Sequence, residues 1–188
     1  MPIQPPKNAE RKFHGTVLDF WQWPQTLYDG SVATFECVTR PDSATVIPFL
    51  DERTVLLTRQ FQPQRETSFL DMPGGRLDTG EDMQQAATRE LLEETGYQAT
   101  HLFEWERRQI GGMMLYEESL FLAKGLQASA TTPDTARERI ELVPTPWSEL
   151  VQLCLQQKLR HPNAMLAILA MEFDPEAKQR LHEWLRTV

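Results

Sequence analysis

From Phe13 onward, apolar and polar positions alternate with the period of a strand. HGTVLDFWQW and SVATFECVTR read as a hairpin or meander around the turn signal Tyr28-Asp29-Gly30. The dozen residues before them carry three prolines and are expected to form a flexible lead-in. Pro41-Asp42-Ser43 marks a turn before ATVIPFL, and Asp51-Glu52-Arg53 marks another before TVLLTRQF. Both runs are apolar and rich in β-branched residues, as central strands are. A polar loop, QPQRETS, a short strand, FLDM, and the pair Gly74-Gly75 follow.

The pattern then changes to helical spacing. Residues 81 to 95 predict a helix with Thr79 as N-cap and Asp82 in a capping-box relation. HLFEWERRQI, YEESLFLAKGL and RIELVPT return to strands, the last preceded by the polar loop SATTPDTARE. WSELVQLCLQQKL and NAMLAILAMEF end the chain as helices, with a third opened by Asp174 as cap and Pro175 at its first position. Strands first, then strands and helices mixed, point to an α+β fold, an α/β/α sandwich.

Composition narrows the range of functions. With 188 residues and 40% apolar content, the chain can bury one substantial core. The net charge is −8, and Asp71 to Gly96 holds seven acids against Arg76 and Arg89. Carboxylates gathered this way suit a hard cation and argue against a nucleic-acid surface, which needs Lys and Arg. Cys37 and Cys154 show neither zinc-ligand nor disulfide spacing and are expected as buried thiols in a reducing cytoplasm. No signal-like start and no apolar run near 18 residues is found, so a soluble, cytoplasmic protein without a membrane or nucleic-acid partner is expected.

The acidic segment carries the chemistry. On a helix advancing about 100° per residue, Glu90, Glu93 and Glu94 fall within roughly a 100° arc. Like charges at these spacings repel, so a positive group is expected there, and Mg²⁺ or Mn²⁺ takes carboxylate, carbonyl and water oxygens. Gly74 and Gly75 are read as letting the backbone turn sharply enough to offer a carbonyl to that ion. A lone acidic triplet is usually a solvated helix face. Here it stands in a longer frame: five residues separate Gly75 from Glu81 and seven separate Glu81 from Arg89, with Leu91, Gly96 and Tyr97 completing the run.

That run matches the signature GX5EX7REUXEEXGU, U being apolar, and so resembles the Nudix hydrolase family. The resemblance implies Glu90, Glu93 and Glu94 as metal ligands, Gly74 as a carbonyl donor and Glu81 as a ligand or water-mediated support. It implies that Arg89 holds the glutamates by charge-assisted hydrogen bonds and that Gly96 ends the helix left-handed. The strand pair before the box, the turn Tyr28-Asp29-Gly30, the segment VLLTRQF leading to DMPGG and the closing helices resemble the ADP-ribose pyrophosphatase and nucleotide-sugar hydrolase branch, and the resemblance implies a mixed sheet. This implies an N-terminal β extension (residues 1–40) that pairs two subunits into a homodimer, and a hydrolase domain (residues 41–188).

The same resemblance implies cleavage of a nucleoside diphosphate derivative, ADP-ribose to AMP and ribose 5-phosphate first among them. A GDP-mannose-like nucleotide sugar or a dinucleotide is the second reading, and a non-catalytic nucleotide sensor the third. Gln62 stands where relatives carry a substrate-touching arginine, which leaves Arg59 and Arg65 as candidate substitutes. Met113, in Ile110-Gly111-Gly112-Met113, is a further candidate for the substrate pocket. Glu138 occupies the region from which this branch draws its general base, with Glu141 and the box glutamates Glu90, Glu93 and Glu94 as competitors for that catalytic role. Trp21 and Trp23 are the tryptophans best placed to stack on a base, and His14, His101, His161 and His182 read as structural or solvated.

Overall fold

Strand-forming residues on both faces of two central strands organise the molecule. In the computed structural model, which describes residues 4–62, 66–129 and 139–187, a curled sheet runs β1 (Glu10–His14), β2 (Asp19–Thr26), β3 (Val32–Thr39), β9 (Met114–Ala128), β4 (Ser43–Asp51), β5 (Thr54–Phe61) and β10 (Arg139–Pro146). Off this path, β6 (Phe69–Asp71) pairs with β5, β7 (Gly74–Arg76) with β4, and β8 (Tyr97–Ile110) with β9. Among the described residues β9 runs parallel to both β3 and β4 while the other pairings are antiparallel, so the sheet is mixed.

Alternation along β4 and β9 sends side chains to two separate cores. Ala44, Val46, Phe121 and Ala123 meet α1 (Met83–Thr95) on one face through its Met83, Ala86, Ala87 and Leu91. Ile47, Phe49, Leu120 and Leu122 meet the other three helices, α2 (Trp147–Leu155), α3 (Pro162–Phe173) and α4 (Pro175–Arg186), on the opposite face. Burial on both faces is why ATVIPFL and SLFLA read as continuous apolar runs. Each Leu, Ile or Phe so buried contributes about 1.5–3 kcal/mol relative to exposure. The α+β fold, with helices on both faces of a mixed sheet, is as the pattern predicted.

Three local expectations change. β1 begins at Glu10, so the extended structure starts earlier than Phe13. The helix cap is Asp82, not Thr79: its side chain accepts from the Gln85 N–H and the Gln85 side chain returns a bond to the Asp82 N–H. The Gly74-Gly75 pair is extended and forms β7, a strand too short and too glycine-rich to show in the pattern.

The first three strands form an antiparallel meander that joins the sheet where β3 meets β9 at Val38–Met114 and Thr39–Leu115. Phe13, Tyr28, Val32 and Phe35 lie exposed on it. Cys37 and Cys154 are free and buried, and burial pushes the Cys154 thiol up to about 12. Among the described residues no helix is long and apolar enough to cross a membrane.

Candidate active site

Helix α1 carries the site because its two ends are fixed. The Asp82–Gln85 box sets where it starts, and Gly96, at φ 72°, ends it with its N–H on the Leu92 carbonyl. Ala86, Ala87 and Leu91 pack against the sheet, and Glu90 and Glu94 project from the arc between the two alanines to meet β7 and β5, while Arg89 and Glu93 lie to its side. The two alanines, being small, let the helix lie close to β4 and β7.

The glycines of β7 are required by close approach and not by a turn. A Cβ on Gly75 would stand 2.1 Å from Glu90 Oε1, and one on Gly74 would stand 2.5 Å from the Ala44 carbonyl oxygen and 2.8 Å from Thr45 Cα. Neither glycine has a positive φ, which corrects the reading of the pair as a sharp turn. The Glu90 carboxylate thus occupies the volume that a side chain at position 75 would fill.

Arg89 organises three of the four box glutamates. Its Nε and Nη2 donate to the two oxygens of Glu81 at 2.8 and 2.9 Å, and its Nη1 donates to Glu90 at 2.9 Å and Glu93 at 3.1 Å. Nη2 also reaches the Arg76 carbonyl at 2.9 Å, tying the helix to β7. The Arg89 bond holds the Glu81 carboxyl below its usual range, and the acids together raise the guanidinium above its own. Burial pushes Glu90 upward, opposed by Arg89. Glu94 faces elsewhere: it accepts from Gln60 Nε2 at 3.3 Å and from the Gly74 N–H at 3.3 Å.

Four carboxylates and a strand of bare backbone form an oxygen donor set suited to a hard divalent cation. A buried carboxylate with like charges beside it, as Glu90 is, gains from one. Among the described residues no three acidic, His or Cys side chains yet converge as a finished ion cage, since Arg89 stands among Glu81, Glu90 and Glu93. The donor chemistry fits the ion, and the arginine supplies the positive charge in this arrangement.

The remaining predicted residues are distributed unevenly. Gln62 donates to Gln60 Oε1 at 3.4 Å and so touches the site indirectly. Arg59 alternates to the opposite face of β5 from Gln60, facing Glu141 across the β5–β10 register at 4.0 Å. Glu141 also takes Arg139 at 3.2 Å. Met113, 76% exposed, lies beyond the Gly112 turn, where its carbonyl accepts the Val38 N–H. Arg65 and Glu138 lie outside the described residues. Trp147 and Trp184 pack on Phe49, and Trp105 lies in the same core. Trp23 leans on Phe35, while Trp21 donates to Thr39 at 3.0 Å.

Gln60 escaped the sequence reading. The available signal was its place in TVLLTRQF, where Thr58 and Gln60 fall two apart on one face of an otherwise apolar strand. A cavity of about 460 Å³ also lies between the N-terminal strands and the start of β4 and β9, lined by Trp21, Thr39, Arg40, Asp42, Tyr116 and others. The Arg40 guanidinium sits 4.4 Å over the Tyr116 ring. Asp42 joins this cavity to the box strand, its carbonyl accepting the Leu77 N–H at 2.9 Å and its side chain the Glu117 N–H at 2.7 Å.

A mixed sheet between helical layers here carries a box helix whose glutamates meet a glycine strand, and residues 39–165 match the family model described as NUDIX domain. The chain belongs to the Nudix hydrolase family. Among its relatives is the ADP-ribose pyrophosphatase of Bacillus subtilis (strain 168), 34% identical over 93 residues, half of each protein; the chain thus aligns with only half the length of that enzyme. The methanol dehydrogenase activator of Bacillus methanolicus is 25% identical over 175 residues, 92% of this chain and 94% of that one. A crystal structure of an ADP compounds hydrolase superposes with a TM-score of 0.75 at 19% identity, covering 93% of this chain and 95% of the other, which speaks for the fold.

Proposed function

We propose that the chain hydrolyses the diphosphate of a nucleoside diphosphate derivative, ADP-ribose foremost, to AMP and ribose 5-phosphate. The observation that carries this reading is Glu90 and Glu94 set against the bare β7 backbone, with Glu93 held beside them by Arg89. The ADP-ribose pyrophosphatase relatives support the choice of nucleotide. Glu90, Glu93 and Glu94, with Glu81 and the Gly74 carbonyl, would hold Mg²⁺, or Mn²⁺ in its place. When bound, such an ion offsets phosphoryl charge and lowers the pKa of a coordinated water.

The chain's own residues supply the positioning. Arg89 fixes Glu81, Glu90 and Glu93 relative to one another, and Gln60 fixes Glu94. The cavity beside Arg40, Tyr116 and Trp21 has the size and aromatic lining for a nucleoside, and Asp42 sets it next to the end of β7. Arg59, Arg65 and Gln62 are the groups proposed to meet phosphate or ribose oxygens, and Met113 the apolar group proposed to meet substrate. Glu138 is proposed to take the proton from the attacking water, with Glu141 as the rival base.

A substrate panel tests this reading: ADP-ribose, GDP-mannose, UDP-glucose, NADH, FAD and dGTP with Mg²⁺, followed by coupled phosphate release. ADP-ribose is expected to give the highest kcat/KM, and Glu93→Gln or Glu94→Gln to lose most of it while folding normally. No turnover of any of the six by the pure protein would refute hydrolysis. The activator relative, aligned over nearly its whole length, favours a second reading in which the chain acts on a partner dehydrogenase. An alcohol dehydrogenase whose rate rises on adding the chain would support it; turnover without change in that rate counts against it. The exposed Phe13, Tyr28, Val32 and Phe35 support a homodimer through the N-terminal strands. A monomeric mass by light scattering would exclude it.

A further inference from the structure

The strand β5 buries two polar side chains among the apolar Val55, Leu56 and Leu57. Leu56, Thr58 and Gln60 share one face of the strand, and all three are buried, Thr58 at 0% and Gln60 at 5% exposure. Across the β5–β6 register, Thr58 stands opposite Asp71, which is 2% exposed. A buried polar group without a partner costs about 1–3 kcal/mol, so three placed together in a core need an account of their hydrogen bonds.

That account closes with a direction. Gln60 Nε2 carries two protons; one points to Glu94 at 3.3 Å and the other to Thr58 Oγ1 at 3.2 Å. The Thr58 hydroxyl, having accepted, donates onward to the Asp71 carbonyl at 3.1 Å. The Asp71 side chain stands 3.0 Å from His161 Nδ1, at the residue that caps α3. Among the described residues no buried side-chain nitrogen or oxygen is left without a partner.

We propose that this line, Gln60–Thr58–Asp71–His161, positions the Glu94 carboxylate against the Gly74 amide and thereby completes the site. The inference rests on the hydrolase reading above and adds to it a residue that the box does not contain. Glu94 projects from a helix, while its two identified donors come from β5 and β7. The line therefore fixes the distance between α1 and the sheet at the carboxylate itself. Thr58 is held by the Asp71 backbone carbonyl, and the Asp71 carboxylate meets His161 of the helical layer on the opposite face, so Gln60 cannot rotate without giving up its bond to the fixed Thr58 hydroxyl. Gln60 is a positioning residue: it acts through Glu94.

The test uses the full chain with Gln60→Met, Thr58→Val and Thr58→Ser. The readouts are Mn²⁺ affinity by electron paramagnetic resonance, kcat and KM for ADP-ribose, and the unfolding midpoint. Gln60→Met is expected to weaken Mn²⁺ binding and kcat by about 10- to 100-fold. KM should change by less than kcat, because of the proposed substrate contacts only Gln62 is shown bonded to Gln60. Thr58→Val should follow in the same direction by less, Thr58→Ser should restore wild-type values, and the Gln60→Met/Thr58→Val pair should be no worse than Gln60→Met alone. Wild-type Mn²⁺ affinity and kcat in Gln60→Met, or a defect confined to the unfolding midpoint, would overturn this inference alone. If Gln60→Met fails to fold, equal Mn²⁺ affinity in Thr58→Val and Thr58→Ser overturns it, and loss in Val with recovery in Ser supports it. A wild-type chain that neither binds Mn²⁺ nor turns over ADP-ribose overturns both this inference and the hydrolase reading.

Discussion

Gly74 and Gly75 are adjacent, yet their missing side chains serve different ends. At Gly74 an added methyl meets backbone, the Ala44 carbonyl and Thr45 Cα, which cannot step aside without moving β4. At Gly75 it meets the tip of Glu90, which can swing away but then leaves its place beside Arg89. Gly74→Ala is therefore expected to lower stability by about 1–3 kcal/mol, as overpacking does. Gly75→Ala is expected to keep most of the stability and lose activity by about 10- to 100-fold, the cost of disturbing a ligand's support. Thermal unfolding and turnover measured on both variants check the contrast. Equal loss of stability in the two would mean that Glu90 has no room to move.

At the scale of elements, the box helix depends on where it starts. Removing the Asp82 side chain takes the acceptor from the Gln85 N–H and leaves only the bond from the residue-82 N–H to the Gln85 side chain, so Asp82→Ala is expected to cost about 1 kcal/mol, seen as a lower urea midpoint at unchanged slope. Thr79→Ala should cost little by the same measurement, since the helix begins after it. The helix itself was legible because its box is local: spacing and chemistry lie within one stretch of chain. Strands β4, β5, β8 and β9 were legible for the same reason, through their apolar runs. What lay hidden depends on contacts between distant residues. The strand β7 exists because Thr45 and Gly74 pair, and Gln60 matters because it meets Glu94, 34 residues away. Glycine at 74 and 75 was visible; that space and not a turn demands it required the positions of Ala44 and Glu90.

Across the whole molecule, shifted carboxylates set how stability responds to acid. Glu172, at the end of α3, accepts from Lys178 of α4 at 2.8 Å and from Trp147 of α2 at 2.9 Å, so one carboxylate ties three helices together beside the Phe49–Trp147 stack. Lys178 foremost, then Trp147, hold it below its ordinary 4.5. Glu104 is lowered in the same way, chiefly by Arg107, and Glu81 by Arg89. A carboxylate whose folded pKa lies below its unfolded one stabilises fully above the unfolded value, and that contribution fades as pH falls through the folded value. Glu90, raised by burial, has the opposite sign: its charge costs stability above the unfolded value, and protonation relieves it. Asp19, Asp29 and Asp51 are lowered as well, so among the described carboxylates with a shifted pKa six are lowered and one, Glu90, is raised. The unfolding midpoint should therefore fall as the solution is taken below the ordinary carboxylate range. Glu172→Gln should cost about 0.5–1 kcal/mol at neutral pH, the range for a partly exposed ion pair with an added hydrogen bond. Below the folded pKa of Glu172 the wild-type carboxyl is itself neutral, so the two unfolding midpoints should converge there. A gap between them that is constant from neutral to acid pH would show that Glu172 acts through packing and not through charge.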